Sequence, residues 1–154
     1  MKSLLVVTLA FFSLWSSAQN NSAKQQQYLP KEVKGLYLGM PETALKKARP
    51  KVAISNDDIN GYEKFVKGDV KEVSYQVTFV DKEQNPDTER YLYEFIVEYK
   101  TKAKAIAIAK QLFKKHKPVE SQFDYEWEIK VDDNLTLKCW IFNSKICIAD
   151  KKEF

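Results

Sequence analysis

The chain has 154 residues, a formal net charge of +4, 13% aromatic residues and two cysteines. This length allows one domain to bury a hydrophobic core without disulfide or metal staples, and the weak positive charge gives no argument for nucleic-acid binding. After the N-terminal stretch, no apolar segment is long enough to cross a membrane as a helix.

The first eighteen residues, Met1 to Ala18, are typical of a secretory signal peptide. Lys2 gives a positive start, the stretch from Leu4 to Trp15 is mostly apolar but too short to span a bilayer, and small residues precede the expected cleavage between Ala18 and Gln19. A membrane anchor or a buried helix is the alternative. Cleavage removes one lysine and no acidic residue, so the formal charge falls from +4 to +3. The Ser-Ala-Gln ending resembles exported proteins of Gram-negative bacteria, and we expect a periplasmic or secreted protein.

Two segments make up the expected mature chain. The segment from Gln19 to Gln27 is polar and has no hydrophobic periodicity, which predicts a flexible lead-in. The segment from Tyr28 to Phe154 has the size of a single domain.

A short helix is predicted after the segment Gly35–Pro41. Pro41 suits the first helical position, Glu42 suits the positive helix N-terminus, and Pro50 ends the helix. The apolar side chains fall on one narrow stripe, formed by Ala44, Leu45 and Ala48.

The motif Gly-x-x-Leu-Gly-Met from Gly35 to Met40, followed by Leu45 and Pro50, resembles the opening of small bacterial envelope domains. These are the SmpA/OmlA-like outer-membrane assembly lipoproteins and the repeats of β-lactamase inhibitor protein. The resemblance implies that the Gly-Met turn leads into a helix packed on an antiparallel sheet. It covers residues 35–50 of the 154, and the chain is longer than one such unit. Pro41 stands where those families have a serine or threonine cap, and the lipidated cysteine is absent.

Three strands are predicted before the long helix. Tyr62 to Val66 forms the first, a turn at Gly68-Asp69 follows, and Val70 to Val80 pairs back on it. A polar loop then leads to a tyrosine-rich strand, Tyr91 to Tyr99. Period-2 alternation directs the odd-numbered side chains inward. They are Val73, Tyr75, Val77, Phe79, Tyr91, Tyr93, Phe95, Val97 and Tyr99.

Thr101 is the predicted N-cap of a long helix from Lys102 to Lys115, which has a broad apolar face and which Pro118 ends. Three further strands follow. They are Phe123 to Val131 and Leu135 to Ile141, again with odd-numbered residues inward, and Ile146 to Ala149.

This order of elements predicts an α+β fold. An antiparallel β-sheet has one face covered by a short N-terminal helix and a longer central helix, in the order α-β-β-β-α-β-β-β. Each helix is followed by three strands. This order suggests a weak internal repeat, but the two halves do not align residue by residue.

The inventory of catalytic groups is thin. The single histidine, His116, lies among lysines at the end of the long helix. No nucleophile elbow, zinc-binding helix motif or phosphate loop is present in the sequence. The sequence therefore predicts no enzymatic activity, no cofactor and no metal site.

Cys139 and Cys147 are the only cysteines, and an exported protein meets an oxidising compartment. A three- or five-residue turn around Asn143 would place them opposite each other across a hairpin and allow a disulfide. A two-residue turn at Asn143-Ser144 would instead oppose Cys139 with Ile148, which leaves two buried thiols. Both alternatives are open at this point.

Two groups of residues are candidate binding surfaces. A tyrosine stripe could bind a ligand or partner, although such stripes more often belong to the core. It consists of Tyr91, Tyr93 and Tyr99. A basic flank of the long helix could meet an anionic envelope surface, although a solvated helix face is the commoner explanation. It consists of Lys110, Lys114, Lys115 and Lys117.

The leading functional hypothesis is an exported, non-enzymatic envelope protein that acts as a protein-interaction or binding module. Its partner would be another envelope protein or an anionic envelope surface. The alternative is a periplasmic carrier that holds a small apolar or aromatic ligand between the tyrosine-rich strand and the long helix. A deep apolar pocket beside the tyrosines would favour the carrier, and a flat exposed aromatic patch would favour the interaction module. Clustered carboxylates with raised pKa values in a cleft would favour an enzyme.

Overall fold

A computed structural model describes residues 22–52, 54, 59–123 and 125–153 of the chain. The predicted signal peptide, Met1 to Ala18, lies outside these residues. The described part of the chain contains helices and a six-stranded antiparallel sheet, which confirms the predicted α+β fold class.

The elements follow the predicted order of a helix, three strands, a helix and three strands. Helix α1 is Glu42–Ala48 and helix α2 is Lys102–Leu112. The strands are β1 Asn60–Lys64, β2 Val70–Val77, β3 Leu92–Tyr99, β4 Glu126–Lys130, β5 Thr136–Phe142 and β6 Lys145–Asp150. Short 3-10 turns lie at Gln26–Tyr28, Lys31–Val33 and Lys151–Glu153. The sheet order is β1-β2-β3-β6-β5-β4, so the last strand returns to the centre of the sheet beside β3.

One face of the sheet carries the main hydrophobic core. Helix α2 contributes Ala105 and Ala109, whose small side chains allow the helix to approach the sheet closely, and α1 contributes Leu45. The buried core residues of the strands are Val70, Val73, Tyr75, Val77, Leu92, Phe95, Val97, Tyr99, Trp127, Ile129, Leu137, Cys139, Ile141, Ile146 and Ile148. Both helices therefore pack on the same core, as the sequence predicts.

A β-bulge at the start of β3 interrupts the predicted alternation. Val77 pairs with Leu92 and Gln76 pairs with Glu94, so Tyr93 is the extra residue. The bulge shifts the side-chain alternation by one position, and Leu92 faces the core.

The prediction that Tyr91 and Tyr93 point into the core is wrong because of this bulge. Tyr91 is exposed, and Tyr93 is half-buried with its hydroxyl donating to Gln76 Oε1 at 2.7 Å. The alternation also directs Phe79 inward, but β2 ends at Val77 and the Phe79 side chain is 77% exposed.

Residues 22–27 differ from the flexible lead-in expected from their composition. They are helical, and Gln25 is buried. The Gln25 amide accepts from the Leu38 N–H at 2.8 Å and donates to the Leu38 carbonyl at 3.3 Å. Gln26 makes the same pair of bonds with the Gly35 N–H and the Leu36 carbonyl. Two side-chain amides thus hold this segment where hydrophobic periodicity is missing.

A buried ion pair fixes α1 to the residues that precede β3. Arg90 is 1% exposed, and it donates from Nε to Glu42 Oε2 at 2.5 Å and from Nη2 to Glu42 Oε1 at 3.0 Å. Lys46, one helical turn later, lies 2.5 Å from Glu42 Oε1. Burial raises the pKa of Glu42, but the hydrogen bonds from Arg90 and Lys46 outweigh it and hold that pKa below its ordinary value.

Backbone hydrogen bonds extend this attachment. The Gly39 N–H donates to the Leu92 carbonyl at 2.7 Å, and the Leu92 N–H donates to the Met40 carbonyl at 2.9 Å. Gly39 has a φ of +85°, which favours glycine. The Gly-Met turn leads into α1, with Pro41 at the N-cap position. This is the arrangement that the envelope-domain resemblance implies, and the family relationship itself stays a prediction.

Helix α2 begins as predicted and ends earlier. The Thr101 hydroxyl oxygen accepts from the Lys104 N–H at 3.2 Å, which is the expected N-cap bond. The helix ends at Leu112 because Phe113 leaves helical geometry and packs its ring against Trp127, with 4.9 Å between the ring centroids.

The β5–β6 turn decides between the two cysteine alternatives. Asn143-Ser144 is a two-residue turn, and Cys139 pairs with Ile148 in the resulting register. Cys139 therefore lies in the main core, whereas Cys147 lies in a cluster on the opposite face of the sheet, and both thiols are free. A disulfide between Cys139 and Cys147 is wrong for this register, because side chains on opposite faces of a sheet cannot be bridged.

Replacing Arg90 should strongly destabilise the fold. We expect Arg90→Met to lower the free energy of unfolding by about 3 kcal/mol or more, because the Glu42 carboxylate stays buried without its main partner. Urea denaturation at neutral pH measures this change. The control is Lys130→Met, which removes an exposed ion pair with Asp133 and should cost less than about 1 kcal/mol. Equal losses in the two variants would contradict an anchoring role for Arg90.

The register also predicts two free thiols in the folded chain. Alkylation with iodoacetamide in denaturant, without reductant, should add two groups to the purified chain, as counted by intact mass. The folded chain should react slowly, because both thiols are buried and burial raises the pKa of each. A chain that accepts no label until it is reduced would show that Cys139 and Cys147 are bonded.

Candidate functional site: a lysine-lined cleft beside helix α2

A cleft of about 870 Å³ lies where α2, the end of β3, the β1–β2 loop and the N-terminal 3-10 turns meet. Small-molecule sites in proteins typically have volumes of about 300–1,000 Å³. Apolar side chains line part of the cleft, and Tyr99 at the end of β3 joins them. They include Leu29, Phe65, Val70, Ile108 and Leu112.

Positive charge dominates the polar part of the lining. Two carboxylates, Glu32 and Asp69, face six lysines, so the formal excess is +4. The lysines, which define what we call the lysine cleft, are Lys31, Lys34, Lys67, Lys104, Lys114 and Lys115. The whole chain has a formal net charge of +4, or +3 after the expected cleavage, so the residues outside the cleft lining carry no net positive charge.

An ion pair joins two walls of the lysine cleft. Lys104 Nζ on α2 lies 2.8 Å from Asp69 Oδ2 in the β1–β2 loop. This hydrogen bond is the main cause that lowers the pKa of Asp69. The Asp69 carbonyl also accepts from the Lys100 N–H at 2.8 Å, and Gly68 has the positive φ of +87° that the loop requires. The loop is thereby tied to the chain between β3 and α2.

The N-terminal wall is attached at two points. Arg49 Nη2, just after α1, donates to the Glu32 carbonyl at 2.7 Å. The Tyr28 ring meets the His116 ring edge to face, with 5.4 Å between the centroids. These contacts place the 3-10 turns across from α2, and the sole histidine has a packing role here.

Tyr99 is fully buried where the end of β3 meets the lysine cleft, and its hydroxyl lies near the Glu32 carboxylate. Burial, followed by the charge of Glu32, raises the pKa of Tyr99 well above its ordinary value. The hydroxyl therefore stays protonated at neutral pH.

The predicted tyrosine stripe does not form one site. Tyr99 lines the lysine cleft, whereas Tyr91 lies before the other end of β3 and Tyr93 bonds to Gln76. Tyr91 and Tyr99 are eight positions apart, which is roughly 25 Å of extended chain. Only Tyr99 of the three lies beside the cleft.

The predicted basic flank of α2 divides in the same way. Lys114 and Lys115 line the lysine cleft. Lys110 instead lies over the Tyr125 ring, with Nζ 4.8 Å from its centroid, and Lys117 is exposed outside the cleft lining. The flank is therefore not one continuous cationic surface.

Sequence reasoning missed the N-terminal half of the lysine cleft. Lys31, Lys34 and Lys67 lie in turns and loops without periodicity, so no sequence pattern joins them to α2. A weak signal exists in the cluster of Tyr28, Leu29 and Pro30, whose apolar character interrupts the polar segment around it. That cluster marks the point where the N-terminal segment meets the core.

The opposite face of the sheet carries a smaller buried cluster. Trp140, Cys147 and Ala149 are buried there, with Ile96 and Phe123 packed against them. Phe123 stacks on Trp140 with 5.9 Å between the ring centroids. Phe123 therefore lies on the face opposite to the one that the alternation predicts.

A buried carboxylate lies on this opposite face. Glu94 pairs with Ala149 across the strands and is only 4% exposed. Burial raises the pKa of Glu94 to about 7, and the described residues include no ion-pair partner for it. Burial and then the charge of Glu94 raise the pKa of Cys147 to about 12. Glu94 does not line the lysine cleft.

The described residues offer neither a metal-binding cluster nor a membrane-spanning helix. Among them, no group of three or more histidine, cysteine, aspartate and glutamate side chains is arranged to hold a metal ion. None of the helices in the same part of the chain has the length and apolar character needed to cross a membrane.

Comparison with known protein families, with curated proteins and with solved structures finds no match to this chain. The geometry of the lysine cleft therefore carries the functional argument by itself.

Glu94 should make the stability depend on pH. The folded chain keeps the Glu94 proton up to about pH 7, whereas the unfolded chain releases it near pH 4.5. The folded state binds more protons within this window, so the free energy of unfolding should fall as pH rises from 4.5 to 7, by on the order of 2–3 kcal/mol.

The variant Glu94→Gln should abolish that fall and be more stable than the parent chain at about pH 8, as measured by urea denaturation at several pH values. The matched control is Glu98→Gln, four residues further along the same strand, where Glu98 pairs with Lys71 and Lys145. It should give no such gain. A parent chain whose stability rises between pH 4.5 and 7 through a Glu94-dependent effect would contradict the raised pKa.

Proposed function

We propose that this chain is an exported, non-enzymatic binding protein that holds a small ligand with an apolar body in the lysine cleft. The export signal supports a periplasmic or secreted location. The sequence left two hypotheses, an interaction module and a small-molecule carrier. The carrier has the more specific support, because the cleft adjoins Tyr99 at the end of the tyrosine-rich strand and the long helix.

The observation that carries the proposal is the combination of volume and lining. A cleft of about 870 Å³ exceeds what one ordered water needs, and it presents Leu29, Val70 and Leu112 together with lysines. Apolar walls with a few placed polar groups are typical of sites that bind small molecules.

The distribution of titratable groups supports a binding role over an enzymatic one. Glu94, the carboxylate with a raised pKa, lies on the other face of the sheet from the lysine cleft. Within the cleft, Asp69 has a lowered pKa and is paired with Lys104. A general acid and a general base would need matched groups around one position, and these two carboxylates are separated by the sheet.

The exposed large apolar residues give less support to a protein-interaction module. They lie in small groups on different elements, including Tyr62, Phe65 and Val66 on and after β1, Phe79 and Tyr91 between β2 and β3, and Phe142 at the end of β5. Small exposed apolar groups are normal for a monomeric protein, whereas interaction sites are larger and contiguous. A protein partner is therefore the second candidate.

Titration with a neutral apolar fluorophore, N-phenyl-naphthylamine, tests the proposed function. The exported chain should bind about one equivalent with saturable fluorescence enhancement. The variant Ile108→Trp places a large side chain in the cleft and should weaken binding about tenfold or more, because it occupies the volume that the probe needs.

The matched control is Ala107→Trp, which adds the same side chain at an exposed position of α2 outside the cleft lining. It should bind the probe like the parent chain. Circular dichroism confirms that both variants are folded. Absence of saturable binding, or equal binding by the two variants, would exclude the cleft as a small-molecule site.

A further inference from the structure

The polar groups of the lysine cleft indicate which kind of ligand it accepts. The lining offers donors in excess, because six lysines face only two carboxylates. One of these, Asp69, is already paired with Lys104 at 2.8 Å. A ligand that brings an acceptor with negative charge would complement this lining, whereas a cation would be repelled.

The apolar part of the lining restricts the ligand further. Leu29 and Val70 are buried at the cleft, and Ile108 and Leu112 of α2 are half-buried there. A free inorganic anion would leave these surfaces in water. A molecule with an apolar body would cover them.

From these observations, and resting on the proposed function, we infer that the lysine cleft takes an anionic amphiphile. This ligand class has one carboxylate or phosphate head group on an acyl or aromatic body. The head group accepts from cleft lysines, and the body lies against α2.

A series of ligands with one common twelve-carbon chain and different head groups tests this inference. Dodecanoate, dodecyl phosphate, dodecylamine and dodecyl maltoside compete against N-phenyl-naphthylamine below their micelle concentrations. The two anions should displace the probe at concentrations about tenfold lower than the amine and the maltoside, because the lining supplies donors. Raising the salt concentration to about 0.5 M should reduce this advantage.

A charge control separates the cleft from general attraction. The pair Lys31→Gln with Lys34→Gln should weaken both anions, whereas Lys47→Gln with Lys51→Gln makes the same charge change outside the cleft lining and should not.

The failures of the two proposals are distinguishable. If the neutral probe does not bind, the proposed function fails. If the probe binds but the amine or the maltoside displaces it as well as the anions do, only the head-group inference fails. Displacement by inorganic phosphate at the concentration needed for dodecyl phosphate would also overturn it, since the apolar body would then contribute nothing.

Discussion

The pairing of β3 with β6 is the constraint on which the rest of the structure depends. It joins two three-stranded meanders, β1-β2-β3 and β6-β5-β4, into one sheet, with Phe95 opposite Ile148 and Val97 opposite Ile146 in the shared core. Since β6 pairs with β3 at the centre of the sheet and β4 lies at the edge, the connection through helix α2 must cross from β3 at the centre to β4 at the edge. Thr101 starts that crossing two residues after Tyr99. The lysine cleft lies at the end of β3, where the chain leaves the sheet for α2.

Sequence periodicity predicted the helices and strands of this fold well, but it predicted less well which face of the sheet each side chain occupies. The alternation in β2 and β5 and the Thr101 cap are local signals, and the structure confirms them. The bulge at Tyr93 is set by the pairing of β3 with β2, a contact between distant parts of the chain. Alternation alone carries no information about such an extra residue, so the faces of Tyr91 and Tyr93 could not be read correctly.

The candidate site was less predictable than the fold for a related reason. Tyr99, Lys114 and Lys115 lie next to strong periodic patterns, and the sequence placed them near the long helix. The opposite wall is held by the amides of Gln25 and Gln26, which bond to backbone groups about ten residues further along the chain. Hydrogen bonds of this kind need a partner of no particular residue type. Composition therefore suggested a flexible lead-in, where the structure has an ordered wall.

The treatment of buried polar groups separates the scaffold from the candidate site. Glu42 and Arg90 are buried and satisfy each other, and the Tyr75 hydroxyl has its acceptor in Glu63. Leaving a buried polar group without a partner costs about 1–3 kcal/mol, so the core pairs the polar groups that it covers. The lysines of the cleft are exposed and carry no such cost. The packing of the core therefore does not explain why they surround the apolar walls of the cleft, whereas binding of an anionic ligand would.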